Sequence, residues 1–403
     1  MSTANPLILA VNGGSSSIKF ALYEVGGVLN RGLSGKIDRI GLPGTTLQFR
    51  DPAGTAQPVR SLAASDHRAA AKFLMDWLET RIDFKSVRAV GHRVVHGMKH
   101  TEPEKVTPEL IAKLHCIVPY DPDHLPCEIE LIEAFRERHP NLPQVACFDT
   151  AFHRTMPWVA KMLPIPRRYA AKGVERYGFH GLSYSYLMEE LARLDPDRVR
   201  GRVILAHLGN GASLAAVRNG KSIDTSMGFT PAAGLVMSTR SGDLGPGLVS
   251  FLARSEGMTP AQFDRMVNEE SGLLGISETS SDMRDLCRRE ASDVRAEEAV
   301  ACFCYQAKKW MGAFAAALGG LDTLVFAGGI GENAPVIRAR ICDGLGFLGI
   351  EIDTARNEAN AGLISATAGR VTVRVIPTDE ERMIARWVSR IIQPGATTED
   401  NTH

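Results

Sequence analysis

The chain has 403 residues, which suggests two or three domains at about 150 residues each. Its 46 Lys and Arg balance 46 Asp and Glu, so no global field of either sign holds it to nucleic acid or an anionic membrane. Hydrophobic residues at 44% and charged ones at 23% are those of a globular protein with a sizeable core, which excludes disorder as the main state.

Met1–Pro6 places no basic stretch ahead of the apolar Leu7–Val11, so a secretory signal is not expected. Apolar runs such as Met311–Leu318 fall well short of the ~20 residues that span a bilayer. Seven cysteines, an odd number with no C-x-x-C pair, suggest reduced thiols in a cytoplasmic protein.

Leu7–Val11 and Ile18–Tyr23 have the pattern of two strands around a Gly/Ser turn. That turn, Asn12-Gly-Gly-Ser15-Ser-Ser17-Ile-Lys19, is either an ordinary polar turn or an anion cradle of N–H groups, hydroxyls and Lys19. It lacks the spacing of a P-loop. His67–Arg81 has Ala71, Leu74, Met75 and Leu78 at helical spacing. Val87–Val90 is a short strand, followed by Gly91-His92-Arg93-Val94-Val95-His96-Gly97, in which Arg93 is a candidate anion clamp. His92, His96 and His100 are spaced four apart, but H-E-x-x-H is absent and Gly97 breaks a helix, which argues against zinc. The Pro- and Asp-rich Pro119–Pro126 is expected to be loop.

Val145–Phe148 is a further strand, and Asp149 sits at its end, where α/β proteins place reactive groups; a helix cap is the alternative. Arg176-Tyr-Gly-Phe-His180-Gly sets a histidine between glycines, suited to presentation in a cleft. Val203–Leu208 and Ser213–Val217 again form two strands around a Gly turn. Asp224–Gly247 is a long Gly/Ser-rich loop around Arg240, and long loops in compact domains are usually functional. Leu321–Ala327 is a buried strand leading into Gly328-Gly-Ile-Gly331-Glu-Asn333, with Pro335 placed for a first helical turn. Glycines there would let a nucleotide approach the backbone. Thr378-Asp379-Glu380-Glu381 opens the final helix, where acidic residues are favoured in any case. The segments starting at Leu7 and Val203 echo one another, which suggests two domains with the same hairpin start.

Eight of these segments, in order, closely resemble the acetate kinase family: N-G-G-S-S-S-I-K, G-H-R-V-V-H-G, F-D-T-A-F-H, R-Y-G-F-H-G, H-L-G-N-G-A-S, T-R-S-G-D, A-G-G-I-G-E-N and P-T-D-E-E. The resemblance runs from Asn12 to Arg386 and places the chain in the superfamily of sugar kinases, heat-shock chaperones and actin. It implies an α/β fold of two duplicated ribonuclease H-like (actin-like ATPase) domains with a nucleotide cleft between them. Residues 1–149 with a C-terminal helix 382–403 would form one domain. Residues 150–381 would form the other and carry most of the nucleotide site.

The resemblance also implies roles. Arg93 and Arg240 match the arginines that hold the substrate carboxylate and the transferring phosphoryl group, Asp149 the essential carboxylate, and His180 a histidine that hydrogen-bonds the phosphoryl group. Asn12 and Glu380 match the positions associated with Mg2+ (or Mn2+). Ser15, Ser17 and Lys19 match the phosphate end of the ATP site, and His207, Gly209, Asn210 and Gly211 a second phosphate loop. Asp282, Met283 and Arg284, with Gly328, Gly329, Ile330, Gly331 and Asn333, match the adenosine site. Val95, Phe179 and Pro231, beside His124, match a small apolar pocket for the substrate methyl group. A homodimer is implied as well, with no nucleic-acid or membrane partner.

The implied reaction is reversible, in-line transfer of the ATP γ-phosphoryl to acetate, giving acetyl phosphate and ADP. A carboxylate is already an anionic nucleophile, so the task is to bring two anions together and stabilise charge on the equatorial oxygens. Propionate or another short carboxylate is the alternative acceptor. A sugar kinase on the same scaffold is a third reading, but paired arginines suit an anionic acceptor better. Three departures from the family pattern stand out. Asp123-His-Leu125-Pro replaces L-H-N-P, Leu182-Ser-Tyr184 replaces T-S-H, and Leu244-Gly-Pro follows S-G-D where I-D-P is usual. Asp123 either enters the pocket, where it would repel a carboxylate or bind a polar substituent, or faces solvent and leaves acetate the natural substrate.

Overall fold

The structure, a computed structural model, describes residues 5–26 and 28–392; the polar tail from Pro394 and the end of the helix expected over 382–403 lie outside the described residues. The chain forms two compact units: residues up to Ala151 together with those from Asp379 on, and Phe152–Thr378.

The first unit is built on an eight-stranded sheet: β1 (Leu7–Gly14), β2 (Ser17–Glu24), β3 (Asn30–Asp38), β4 (Thr46–Arg50), β5 (Arg60–Ser61), β6 (Val87–Val94), β7 (Glu104–Lys105) and β8 (Gln144–Phe148), in the order β5-β4-β3-β2-β1-β6-β8-β7. Strands β1, β2 and β3 run antiparallel, while β1, β6 and β8 run parallel. The interior residues of β1 are all buried, as expected of a strand covered on both faces. Helix His67–Glu79 is capped by Asp66, which accepts from Ala69 N at 2.8 Å, and it buries Leu74, Met75 and Leu78 against Phe20 and Leu47. Pro119–Pro126 is not all loop: a 3-10 turn spans Val118–Tyr120, and helix Leu125–Arg138 starts within the segment. Pro126 sits in its first turn, where no intrahelical donor is required. The last helix, Glu380–Ile392, packs on β1, β2 and β6. It comes so close that a Cβ on Gly91 would overlap the Ile384 and Val388 methyls.

The second unit carries β9 (Arg202–Leu208), β10 (Ala212–Arg218), β11 (Lys221–Thr225), β12 (Thr323–Ala327) and β13 (Thr372–Val375), in the order β11-β10-β9-β12-β13. Again three strands are antiparallel, and the first of them continues into two parallel ones. Strand order and direction therefore repeat those of β3-β2-β1-β6-β8. The sequence echo marks this duplication: its two copies are the hairpins β1–β2 and β9–β10. Helix Val294–Leu318 packs on β9 and β10 and stops at Gly319, which takes the left-handed conformation typical of a C-terminal cap. Among the described residues no helix is long and apolar enough to cross a membrane.

Candidate active site

In the first unit β6 delivers Arg93, and β8 ends one residue before Asp149, whose backbone N–H bonds Val94 O at 2.9 Å. Arg93 Nε and Nη2 donate to Asp149 Oδ2 at 3.0 and 2.8 Å, and Nη1 donates to Gly13 O at 2.9 Å and to Glu128 Oε1 at 3.1 Å. Four of its five N–H donors are thus engaged before any substrate arrives. Burial works against the Arg93 charge, but Asp149, Glu128 and Glu380 outweigh it and hold the guanidinium protonated more firmly than usual. Glu128 lies outside every motif of the family pattern. Its signal was a carboxylate on the apolar stripe of a helix, at i, i+3 and i+7 with Leu131 and Phe135. Its Oε2 accepts from Val95 N at 2.7 Å, which fixes the backbone at another expected pocket residue. Val95 itself is buried.

Asn12 pairs with Lys19 across the hairpin, and the two-residue turn Ser15–Ser16 closes it. Asn12 Nδ2 donates to Glu380 Oε2 at 2.8 Å and Glu381 Oε1 at 3.1 Å. Asp379 accepts from Tyr23 Oη and Arg31 Nη2, each at 3.2 Å, and Arg31 also reaches Glu381. The acidic start of the last helix is thereby tied to β1, β2 and β3. Among the described residues no group of three or more His, Cys, Asp or Glu is arranged to hold a metal ion. The donor set still suits magnesium, which takes one or two protein oxygens and fills the rest of its shell with water and phosphate. Around Arg93 the carboxylates of Asp149 and Glu380 outnumber the cation, while burial favours the neutral form of Glu128.

Ser15 and Lys19 are exposed and Ser17 half-buried. His124 Nδ1 lies 2.8 Å from Asp121 Oδ1, at the start of helix Leu125–Arg138. Asp123 is exposed on its unit and Leu125 is buried. The three spaced histidines go to separate places: His92 sits edge-on to Phe135, His96 is beside Tyr120, and His100 is stacked on Phe148. Burial pushes His92 down to about 4, so it is neutral.

In the second unit His180 adopts a left-handed backbone (φ 61°) at the start of helix Gly181–Leu194. The preceding residue is pinned: His153 Nε2 lies 3.0 Å from Phe179 O and its Nδ1 lies 2.9 Å from Ser222 Oγ. Phe179 is buried. A Cβ built on Gly211 would lie 3.1 Å from His180 Nε2 and 3.5 Å from Arg240 Nη1. Two side chains therefore converge on the backbone of the β9–β10 turn. Arg240 Nη1 also reaches Pro231 O at 3.3 Å, which brings Pro231 to the same place. The loop carrying both is ordered by its own backbone, Gly242 N bonding Ala232 O and Asp243 N bonding Gly234 O, and by helix Gly272–Ser277, whose Leu273 N bonds Met237 O.

His207 stacks on His180 at 4.3 Å between ring centroids, and its Nδ1 lies 2.8 Å from Ser183 Oγ. Asn210 O accepts from Ser238 N at 3.1 Å. Gly209 lies against Gly329 N, and at Gly328 (φ 77°) a Cβ would meet Leu208 O at 2.6 Å, so the two glycine loops pack backbone to backbone. The second loop differs from expectation: β12 runs directly into helix Gly328–Asn333, and Pro335 opens a second helix, Pro335–Cys342. Glu332 Oε1 takes the N–H groups of Gly328 and Thr378, and Asn333 Nδ2 caps Gly329 O. Gly329 and Asn333 are exposed, Ile330 is half-buried and Gly331 is buried. Asp282 caps helix Met283–Arg289 and is paired with the exposed Arg284, while Met283 is buried.

The family profile described as the acetokinase family matches residues 7–386. An acetate kinase from Methylocella silvestris is 43% identical over 392 residues, covering 94% of this chain and 96% of that protein. A propionate kinase from Citrobacter rodentium is 43% identical over 393 residues, covering 95% and 96%. The crystal structure of Porphyromonas gingivalis acetate kinase superposes with a TM-score of 0.87 at 39% identity, covering 96% of this chain and all of that one. A propionate kinase from Francisella tularensis gives 0.88 at 36% identity, covering 95% and 98%. Matches of this identity and extent show that the chain belongs to the acetokinase family.

Proposed function

We propose that the protein is a magnesium-dependent acetate kinase that transfers the γ-phosphoryl of ATP directly to acetate, reversibly, as a cytoplasmic homodimer. The observation that carries the reading is the approach of His180 Nε2 and Arg240 Nη1 to the Gly211 backbone, a donor-lined glycine turn suited to a phosphoryl group. Arg240 neutralises charge on the equatorial oxygens and His180 donates a hydrogen bond to them. Arg93, already oriented by Asp149, Glu128 and Gly13, holds the acceptor carboxylate with its remaining Nη2 proton. Val95, His124, Phe179 and Pro231 are assigned to binding of the acyl group. Ser15, Ser17, Lys19, His207, Gly209 and Asn210 bind phosphates, and the segments at Asp282 and Gly328 bind adenosine. Asn12 and Glu380 would hold Mg2+ or Mn2+, which when bound offsets phosphate charge. The exposure of Asp123 supports an unsubstituted short acceptor, and propionate is the alternative. Seven unpaired cysteines support a reducing compartment.

An ATP-dependent hydroxamate assay over acetate, propionate, butyrate and glycolate tests the reading. Acetate should give the highest kcat/KM, and EDTA should abolish turnover. Arg93→Ala or Arg240→Ala should lower kcat/KM by about 100-fold or more with the circular dichroism spectrum retained. No turnover with any carboxylate, or sugar phosphorylation that survives Arg93→Ala, would refute it.

A further inference from the structure

Tyr184 stands where the family pattern has the histidine of T-S-H. It is fully buried on helix Gly181–Leu194, its ring held edge-on to His153 at 5.5 Å and against Phe152 at 5.7 Å. Its hydroxyl hydrogen-bonds Ser213 Oγ, and Ser213 Oγ lies 2.9 Å from His180 Nδ1. Phenol, alcohol and imidazole thus form a line of three. A phenol is the stronger acid and an aliphatic alcohol the better acceptor, so Tyr184 donates to Ser213. Ser213 is fully buried and has a single proton; of the two side-chain groups at hydrogen-bond distance Tyr184 is the donor, so that proton goes to His180 Nδ1. A neutral imidazole that accepts at Nδ1 carries its proton on Nε2. Nε2 is the atom that faces the Gly211 turn beside Arg240.

We propose that Tyr184, acting through Ser213, is a positioning residue that fixes His180 in the Nε2–H tautomer and so aims an N–H donor at the phosphoryl site. This rests on the assignment of His180 to phosphoryl transfer. In the opposite arrangement, with Nδ1–H donating to Ser213 and Ser213 to Tyr184, Nε2 would offer a lone pair to an anion. Repulsion would then replace the hydrogen bond.

The test is 15N NMR of the full chain labelled at histidine, with the His180 signal assigned by its loss in His180→Gln. The wild type should show Nε2 protonated and Nδ1 as acceptor. Tyr184→Phe removes only the hydroxyl, leaves Ser213 free to turn, and should mix the two tautomers. It should lower kcat about 10- to 100-fold, the range found for outer hydrogen-bond partners, with KM for ATP and acetate changed less than about threefold. Ser213→Ala should give the same mixing, and the double variant no further loss. Should Tyr184→Phe fail to fold, Ser213→Ala, which cuts the same link, decides the question. A wild-type His180 protonated at Nδ1, or a tautomer unmoved by cutting the link, overturns the proposal. The NMR readout is independent of turnover: absent kinase activity with the expected tautomer would remove the functional reading and leave the positioning intact.

Discussion

Glu128 shows how one buried side chain sets both the geometry and the pH response of its neighbourhood. Burial raises its carboxyl from 4.5 to about 8, against the opposing pull of Arg93 and the Val95 N–H. A group whose pKa is higher in the folded state contributes stability that is complete below its unfolded value and is lost as pH rises through the folded one. The window is therefore about 4.5 to 8. Urea unfolding midpoints of the wild type should fall across pH 5, 7 and 9 relative to those of Glu128→Gln, which lacks the titration. The pH-independent offset between the two proteins is immaterial, because Gln changes the hydrogen bonds as well. Parallel pH profiles would show that the carboxyl does not titrate in this window. Arg93, Asp149, His180 and Arg240 could be singled out in the sequence because each lies in a short motif of the family pattern. The contacts of Glu128, Ser213 and Tyr184 could not be read there, because each pairs with a residue distant in sequence, and only the packing of helix on sheet brings the pair together.

At the scale of elements, the strands and their echo were legible because buried strands leave short apolar runs between Gly turns. The short helix Gly328–Asn333 was not, because its ends are satisfied by side chains, one of its own and one from the next helix. Glu332 receives the Gly328 and Thr378 N–H groups, and Arg338 donates to the Gly331 and Glu332 carbonyls at the far end. Arg338 is fully buried and commits all five donors to neutral oxygens: Gly331 O, Glu332 O, Asn357 O, Asn357 Oδ1 and Asn360 Oδ1. Burial pushes its pKa below the usual arginine value. A lysine has three donors on one nitrogen and cannot reproduce the planar fork. Arg338→Lys should leave carbonyls of the glycine-rich turn unsatisfied and destabilise the protein by about 1–3 kcal/mol per orphaned group. It should also raise KM for ATP several-fold while leaving KM for acetate within about twofold. Equal rises in both constants would show that the turn is not dedicated to nucleotide.

At the scale of the molecule, a formal charge of zero conceals opposite local balances. Carboxylates outnumber Arg93 in the first unit, whereas Arg240 and His180 gather at the Gly211 turn of the second. Each unit repeats one strand plan around its own core, the first needing the chain's last helix to complete it. Units with separate cores need not unfold in a single step. Tryptophans report on them separately: Trp77 and Trp387 belong to the first, Trp158 and Trp310 to the second. If the adenosine and second phosphate loops bind ADP as proposed, the nucleotide stabilises the second unit. At a concentration of one hundred times Kd the gain is about 2.7 kcal/mol. For a unit of this size that moves the midpoint by roughly 5–10 °C. Thermal melts followed by fluorescence should show this shift in a Trp77→Phe/Trp387→Phe protein, and a smaller one in the Trp158→Phe/Trp310→Phe counterpart. Equal shifts would mean that the units melt as one, and a shift confined to the first unit would place the nucleotide on the wrong half of the chain.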